Sequence, residues 1–307
     1  MSIEIECIQQ ANAILGEGPI WDWRSGDVFW VDIRRQQVFR HHFATGVQTG
    51  QWTFPERVGF VALTESPTRV VVGVGMTVQV LDLISGETHL IAELDSGRPQ
   101  HRINDAAVDA DGRLWVGTMM DDYFNPRDFI DGRLHRVDAD GTTQAFGTYQ
   151  LPNGIGWSPD GTQMYLNDSV ARKTYAIEFD RRSGTVGDQR PIFVAAANEG
   201  LPDGLSVDAD GNIWCALWDG WAVLTLSPDG NVLARHAMPV RRPSSATFGG
   251  EGLDQLIVTS ATVDFSSFDY AASPQAGGLF CMPVGRRGQR ANLFALPVQH
   301  PSDETST

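Results

Sequence analysis

Cysteine and long apolar runs are both scarce in this sequence of 307 residues. Its three cysteines, Cys7, Cys215 and Cys281, are widely spaced and form no Cys-x-x-Cys pair. This spacing argues against a disulfide framework and favours reduced thiols in a cytoplasmic protein. The sequence contains no run of about 18 apolar residues, and its amino terminus has neither a basic start nor an apolar stretch. We therefore expect no membrane span and no signal peptide.

Positive charge is also in short supply. Lysine and arginine total 23 against 38 aspartates and glutamates, which gives a formal net charge of −15. Nucleic acids and anionic membranes reward basic patches, so this balance argues against both as partners. The charge suits a protein that handles small molecules or divalent cations. The sequence leaves the oligomeric state open, with a monomer favoured.

Helical periodicity is the third absence. No segment of a dozen residues shows a convincing helical period, and the chain holds 32 glycines and 16 prolines. Short runs rich in β-branched and aromatic residues lie between turn residues instead, which is typical of strands. These runs include DVFWVDI, RVVVGV, RLWVGTM, QMYLND and LIVTSA. The sequence predicts an all-β fold.

A repeat of about 40 to 50 residues organises these strands. Equivalent positions in six segments are separated by 41, 46, 49, 50 and 41 residues. They are Glu17, Val58, Asn104, Asn153, Asp203 and Ser244. Such a period with four strands per unit predicts a six-bladed β-propeller. The extra strand Ile3–Gln10 is expected to close the last blade, within a single domain of residues 1–300 followed by a disordered tail, 301–307.

The string VDADG occurs three times and could be read either as a turn or as a calcium-binding loop. A calcium loop of the EF-hand type needs its glycine at the sixth position and a glutamate at the twelfth. If the first aspartate of each string is position 1, Gly112 and Gly211 are at position 4. We therefore interpret these strings as hairpin turns in which aspartate caps the backbone.

The innermost strands of a propeller line one channel, so equivalent residues on them converge at one mouth. Glu17, Asn104, Asn153 and Asp203 would place two carboxylates and two amides there. Oxygen donors of this kind suit Ca²⁺, Mg²⁺ or Mn²⁺. The alternative is purely structural, because three of the four precede glycine and Asx-Gly pairs often form turns. No Gly-x-Ser-x-Gly motif occurs and no histidine has an equivalent inner position, which argues against a serine-hydrolase triad.

Four motifs at these positions resemble the SMP-30/gluconolactonase/LRE family. They are LGEGPIW (15–21), RIND with GTM (102–105 and 117–119), NGIGWSPDG (153–161) and PDGLSVDADG (202–211), in order along nearly the whole chain. The resemblance implies a six-bladed propeller with one divalent cation held by Glu17, Asn153 and Asp203. It implies substrate contacts from Arg102 and Asn104, and from an acidic residue that matches Asp122, with Asp121 as the alternative. The family often has glutamate there, so the shorter aspartate is a departure.

The resemblance implies that the protein is a sugar lactonase. The cation, which could be Ca²⁺, Mn²⁺, Zn²⁺, Mg²⁺ or Fe²⁺, would polarise the carbonyl of an aldonolactone, and Asp203 would act as the general base. The substrate would be a xylono-, arabinono-, glucono- or galactono-lactone. Two alternatives stay open, which are a propeller phosphotriesterase and a calcium-binding regulatory protein without turnover. Arg102 could also form a structural ion pair with Asp105 or Asp122.

Overall fold

The computed structural model describes residues 5–121 and 131–296, and the regular secondary structure of these residues is almost entirely β-strand. The strands form six four-stranded antiparallel sheets, and in five of these sheets the four strands are consecutive in the chain. The first three are formed by β2–β5 (Gly16–Asp22, Asp27–Asp32, Gln37–His42, Val47–Thr53), β6–β9 (Val58–Leu63, Arg69–Val74, Thr77–Asp82, Thr88–Glu93) and β10–β13 (His101–Val108, Leu114–Met120, Gly132–Val137, Thr143–Tyr149). The next two are formed by β14–β17 (Pro152–Trp157, Gln163–Asp168, Lys173–Asp180, Thr185–Val194) and β18–β21 (Leu201–Val207, Ile213–Trp218, Ala222–Leu226, Val232–Ala237).

The sixth sheet joins the two ends of the chain. It contains β22 (Pro243–Gly249), β23 (Gln255–Ser260) and β24 (Leu279–Pro283), and its outer strand is β1 (Glu6–Gln9). This arrangement confirms both the six-bladed propeller and the predicted closure by the amino-terminal strand. A short helix, α1 (Ser267–Ala272), is the one helix among the described residues. The predicted tail from residue 301 lies outside them.

Aromatic residues of the second strands fill the space between neighbouring blades. The strand registers place aromatic residues at the same position in four blades. These residues are Phe29, Trp115, Tyr165 and Trp214, each at most 2% exposed. Large aromatic side chains bury more apolar area than other residues. The second-strand pattern therefore supplies much of the core that holds the ring of sheets together.

The VDADG strings are turns, as predicted. The first aspartate of two copies is fully buried, and its carboxylate accepts hydrogen bonds from the turn and from a tryptophan of the next strand. Asp208, for example, accepts from the backbone N–H groups of Asp210 and Asn212 at 3.0 and 2.8 Å, and from Trp214 Nε1 at 3.0 Å. The closing Gly211 has a φ of +88°, which glycine adopts without strain.

The carboxy-terminal part of the described chain crosses one end of the channel. Gly288 forms a β-bridge with Asp208 of blade 5, and Phe294 forms one with Thr64 of blade 2. Between them, Asn292 Nδ2 donates to the Val108 carbonyl at 2.9 Å. The strap, residues 287–295, contributes to the lining of a cavity of about 170 Å³ inside the channel. We therefore expect a ligand to enter from the opposite mouth.

A buried histidine in blade 1 predicts acid sensitivity. His41 is 3% exposed, and Trp30 Nε1 donates to its Nδ1 at 3.1 Å, which requires a neutral ring. Burial lowers the pKa of His41 to about 4. The unfolded chain, with a histidine pKa of about 6.5, takes up this proton first. The stability from neutral His41 is therefore fully present above about pH 6.5 and is lost as the pH falls towards about 4.

The variant His41→Phe keeps an aromatic ring against Trp30 but cannot be protonated. We expect its free energy of unfolding to fall less between about pH 7 and pH 4 than that of the wild type, measured by chemical denaturation. The exposed His89 offers the control His89→Phe, whose profile should follow the wild type. If His41→Phe has the wild-type slope, then protonation of His41 is not linked to unfolding.

Candidate active site and metal centre

A β-bulge interrupts every innermost strand at the same height in the channel. The pairing of first and second strands shifts register in all six blades. Each shift lies at or directly after the equivalent positions 17, 58, 104, 153, 203 and 244. Bulges re-aim side chains and are frequent beside active sites. The repeat of the sequence is therefore also a repeat of backbone irregularities around one mouth.

The Asn-Gly and Asp-Gly pairs lie in strands rather than in turns. A Cβ atom on Gly154 would lie 2.4 Å from the Asp203 carbonyl oxygen, and one on Gly204 would lie 2.1 Å from Ser245 Oγ. Glycine is needed here because neighbouring innermost strands approach each other closely. This close approach brings Asn153 and Asp203 side by side. These pairs therefore do not form the turns that the structural alternative expected of them.

Asn153 and Asp203 are in direct contact. Asn153 Nδ2 donates to Asp203 Oδ1 and, at 3.2 Å, to Ser169 Oγ. Both residues are buried, at 6% and 4% exposed. Asn167 supports the pair from the second strand of blade 4, because its Nδ2 donates to the Asp203 carbonyl and its Oδ1 accepts from Thr174 Oγ1 at 2.6 Å. The two polar side chains are thus held in place by a buried hydrogen-bond network.

Glu17 and Asp105 complete a group of interacting carboxylates. Burial raises the pKa of Glu17 well above its ordinary value, and the charges of Asp203 and Asp105 raise it further. Burial also raises the pKa of Asp203, with a second contribution from Asp105. Asp105 itself lines the cavity below the mouth, and burial raises its pKa to about 6. The negative charges of Asp203 and Asp105 therefore act on Glu17, and that of Asp105 also acts on Asp203.

Arg102 and Asn104 lie at the same mouth. Arg102 is 6% exposed, and its Nη1 donates to Asn104 Oδ1 at 2.9 Å and to the Ile103 carbonyl at 3.0 Å. Asn104 Nδ2 in turn donates to the carbonyl of Pro152 at 3.2 Å. Burial lowers the pKa of Arg102 to about 10, and the carboxylates of Asp121 and Glu17 act in the opposite direction. These hydrogen bonds therefore fix the orientation of the Arg102 guanidinium, which lies beside the carboxylates described above.

The donor set suits a divalent cation. Glu17 and Asp203 are buried carboxylates, and no arginine, lysine or histidine side chain donates a hydrogen bond to either of them within the described residues. Buried like charges are costly without a compensating positive charge, and a divalent cation would supply it. Within residues 5–121 and 131–296, no three His, Cys, Asp or Glu side chains form a metal-binding group by themselves. The predicted set of two carboxylates and the Asn153 amide is not a group of that kind.

Some residues of the mouth were not predicted, and one prediction falls outside the described chain. Asp122 lies in the segment 122–130, which the structure does not describe. The alternative, Asp121, has its Oδ1 3.1 Å from Arg102 Nε, so within the described residues Arg102 forms its ion pair with Asp121 and not with Asp105. Asp105 was not predicted as a site residue. Its adjacency to Asn104 in a strand that enters the channel was the available signal.

The three cysteines are free, and Cys215 and Cys281 are buried. No helix among the described residues is long and apolar enough to cross a membrane.

Comparisons with known proteins place these features in context. A family model described as "SMP-30/Gluconolactonase/LRE-like region" matches residues 15–262. L-arabinolactonase from Azospirillum brasilense is 36% identical over 283 residues, covering 92% of each chain. The 6-deoxy-6-sulfogluconolactonase from Pseudomonas putida is 34% identical over 298 residues, covering 96% of this chain and 100% of the relative. The crystal structure of a calcium-binding protein, regucalcin, from Agrobacterium tumefaciens strain C58 superposes with a TM-score of 0.89 at 28% identity, covering 96% and 98% of the two chains.

Proposed function

The chain belongs to the SMP-30/gluconolactonase/LRE family, and we propose that it is a hydrolase that opens the lactone ring of an aldonic acid with one divalent cation. This proposal rests on one observation. The carboxylates of Glu17, Asp105 and Asp203 lie at the same mouth of the channel as the buried guanidinium of Arg102. Simple cation storage has no use for Arg102 beside Asn104 in the same pocket. The similarity to two proteins named as lactonases supports the same reaction class.

Glu17, Asn153 and Asp203 would hold the cation, which when bound polarises the lactone carbonyl and stabilises negative charge on its oxygen. Asp203 removes a proton from the attacking water, because the hydrogen bond from Asn153 holds its carboxylate beside the other predicted cation ligands. The water oxygen forms a bond to the carbonyl carbon, and the ring C–O bond breaks. The proton from Asp203 then passes to the leaving ring oxygen, which becomes a hydroxyl of the open-chain acid.

Arg102 and Asn104 position the sugar. The guanidinium can donate to a ring or hydroxyl oxygen, and the amide can both donate and accept. Their mutual hydrogen bond fixes both groups before the substrate arrives. Orientation of this kind lowers the entropic cost of the reaction. The strap crosses the far end of the channel, opposite to the mouth at which these two residues lie.

The proposal is tested by measuring the hydrolysis of a set of sugar lactones in the presence of different divalent cations. We expect the purified protein to hydrolyse xylono-, arabinono-, glucono- or galactono-lactone when supplied with Ca²⁺, Mn²⁺, Zn²⁺, Mg²⁺ or Fe²⁺. Activity should disappear after treatment with a chelator and return when the cation is restored. Hydrolysis can be followed by release of acid.

Two results would contradict it. A phosphotriester hydrolysed faster than every lactone would favour the propeller phosphotriesterase. Cation binding without turnover of any substrate would favour a calcium-binding regulatory protein, the activity suggested by the similarity to the calcium-binding regucalcin.

A further inference from the structure

The tryptophan that ends the second strand of blade 5 lies at the mouth of the channel. Trp218 is the last residue of β19, and it pairs with Leu201, the first residue of the innermost strand β18. Asp203 follows Leu201 by two residues in that strand. Trp218 is partly exposed, whereas Trp214 of the same strand is buried between blades. The packing of the blades therefore leaves part of this indole free beside the predicted cation ligands.

Trp218 belongs to the layer of side chains just outside the six equivalent positions of the repeat. The guanidinium carbon of Arg242, two residues before Ser244, lies 4.8 Å from the centroid of the indole. Trp218 also packs against the apolar cluster that contains Leu15, two residues before Glu17. Both contacts are with chain segments that enter the innermost strands of other blades. The indole of blade 5 therefore extends along the rim of the mouth beyond its own blade.

Arg242 holds the indole in place. Its Nε donates to Asp219 Oδ1 at 2.7 Å, its Nη1 donates to the Val263 carbonyl, and its guanidinium also lies over the ring of Phe265, 5.0 Å from the centroid. A planar guanidinium stacks favourably on aromatic faces, and here it is fixed by its own hydrogen bonds. The orientation of Trp218 is therefore set before a ligand arrives.

The turn that follows Trp218 is held in a costly backbone conformation. Asp219 and Trp221 have φ angles of +59° and +55°, in the left-handed region that residues with a side chain seldom adopt. Arg241 and Arg242 both contact the Asp219 carboxylate, at 2.8 and 2.7 Å, and the Trp221 N–H donates to the Arg241 carbonyl at 3.2 Å. Backbone strain of this kind persists where the surroundings impose it, and it is concentrated at ligand-binding sites.

Trp218 and Arg102 lie on opposite sides of the mouth. Arg102, two residues before Asn104, has the same position in the repeat of blade 3 as Arg242 has in that of blade 6. Blades 3 and 6 are opposite each other in a ring of six. The indole lies against Arg242, so the pocket has polar donors on one side and a flat apolar surface on the other.

We propose that Trp218 is a specificity-determining residue that binds the sugar lactone by packing its indole against the C–H face of the lactone ring. This inference rests on the proposed function, because it takes a lactone as the ligand. A sugar ring has polar edges and apolar C–H faces, and a flat aromatic surface removes such a face from water. Arg102 and Asn104 bind the polar oxygens from the other side. The open-chain acid that hydrolysis produces has no ring face, so Trp218 favours the substrate over the product.

The experiment measures kcat and KM for one hydrolysed lactone, and the inhibition constant of the corresponding open-chain acid. Trp218→Leu keeps an apolar side chain but removes the flat ring. We expect its KM to rise by about tenfold and its kcat to stay within about threefold of the wild type, because the contact binds ground state and transition state alike. Trp218→Phe keeps an aromatic ring, and its KM should stay within about threefold of the wild type.

Two further quantities separate ligand binding from a structural role. The inhibition constant of the acid, and the cation affinity measured by calorimetric titration, should be unchanged in both variants. Trp221→Leu is the matched control, because Trp221 is 38% exposed in the same turn but precedes the third strand, farther from the channel. Its KM should remain at the wild-type value.

The outcomes separate this inference from the proposed function. If Trp218→Leu has the wild-type KM, Trp218 does not bind the ring, and the lactonase stands. The same conclusion follows if Trp218→Phe loses as much as Trp218→Leu, or if the acid and the cation bind more weakly in step with the lactone. Should Trp218→Leu fail to fold, Arg242→Lys decides. It keeps the charge but removes the planar group on the indole, so its KM should rise by about threefold or more, and a wild-type KM would overturn the inference. If the wild type hydrolyses no lactone with any cation, the proposed function fails and the inference fails with it.

Discussion

Replacement of Asp203 by asparagine is expected to reduce kcat/KM for the lactone by about a thousandfold or more, within the range that general-base catalysis contributes. The substitution keeps the shape of the side chain but removes the carboxylate oxygen that accepts the proton from water. It also removes one of the two charged oxygen donors of the predicted cation set. We therefore expect weaker cation binding as well, measured by calorimetric titration of the purified variant.

In contrast to the activity, the thermal stability of the metal-free Asp203→Asn variant should increase or stay unchanged. Burial and the neighbouring Asp105 raise the pKa of Asp203, which means that the folded protein resists its negative charge. A neutral asparagine relieves this repulsion, so the thermal midpoint of the metal-free Asp203→Asn variant should equal or exceed that of the wild type. Functional residues held under strain typically show this separation of activity from stability.

Asp210→Asn provides the matched control. Asp210 lies seven residues along the same chain segment, in the exposed hairpin turn, where it pairs with Arg286 at 2.7 Å. The activity and the cation affinity of Asp210→Asn should remain at the wild-type values. The role of Asp203 is wrong if Asp203→Asn retains activity within a few-fold, or if its activity falls only in proportion to a loss of folded protein.

Asp208→Ala is expected to cause the largest loss of stability, about 3 to 5 kcal/mol, because it leaves several buried donors without an acceptor. The carboxylate is fully buried and accepts from two backbone N–H groups, from Asn212 Nδ2 and from Trp214 Nε1. Its removal disconnects the turn from the second strand of blade 5. Urea denaturation, followed by tryptophan fluorescence, measures the change in the free energy of unfolding.

The neighbouring Asp210→Ala should cost less than about 1 kcal/mol, since its ion pair with Arg286 is exposed. Added Ca²⁺ should change neither result, because both aspartates serve the turn. If Asp208→Ala is as stable as Asp210→Ala, the buried carboxylate does not hold the turn. If Ca²⁺ raises the wild-type stability and this rise is lost in Asp208→Ala, the calcium-loop reading that was set aside becomes the better one.

Repetition made much of this fold readable from the sequence. A single Asp-x-Asp-Gly string is weak evidence, but its recurrence at the same distance from Asn104 and from Asp203 marks equivalent places in blades 3 and 5. The same register predicted the spare strand, whose Glu6 pairs with Cys281 of the last blade. Local turn and strand preferences and a regular period were sufficient for these features.

The details of the mouth were less accessible. Asn153-Gly154 has the local signature of a turn, yet it lies in a strand because Gly154 allows the backbone of blade 5 to approach. Asp121 contacts Arg57 across 64 residues of chain, and nothing in the local sequence of either indicates that contact. Asp105 affects the pKa of Asp203 from another blade.

The sequence by itself determined the all-β class, the number of blades, the closure of the ring and the set of polar residues at equivalent positions. These features depend on local turn and strand preferences that recur at a regular spacing, and such a recurrence is visible in the sequence itself. Only the tertiary structure decided which of those residues touch, which arginines have carboxylate partners and which end of the channel is covered. Such facts depend on distances between segments far apart in the chain, which are set by the packing of whole sheets and leave no local trace.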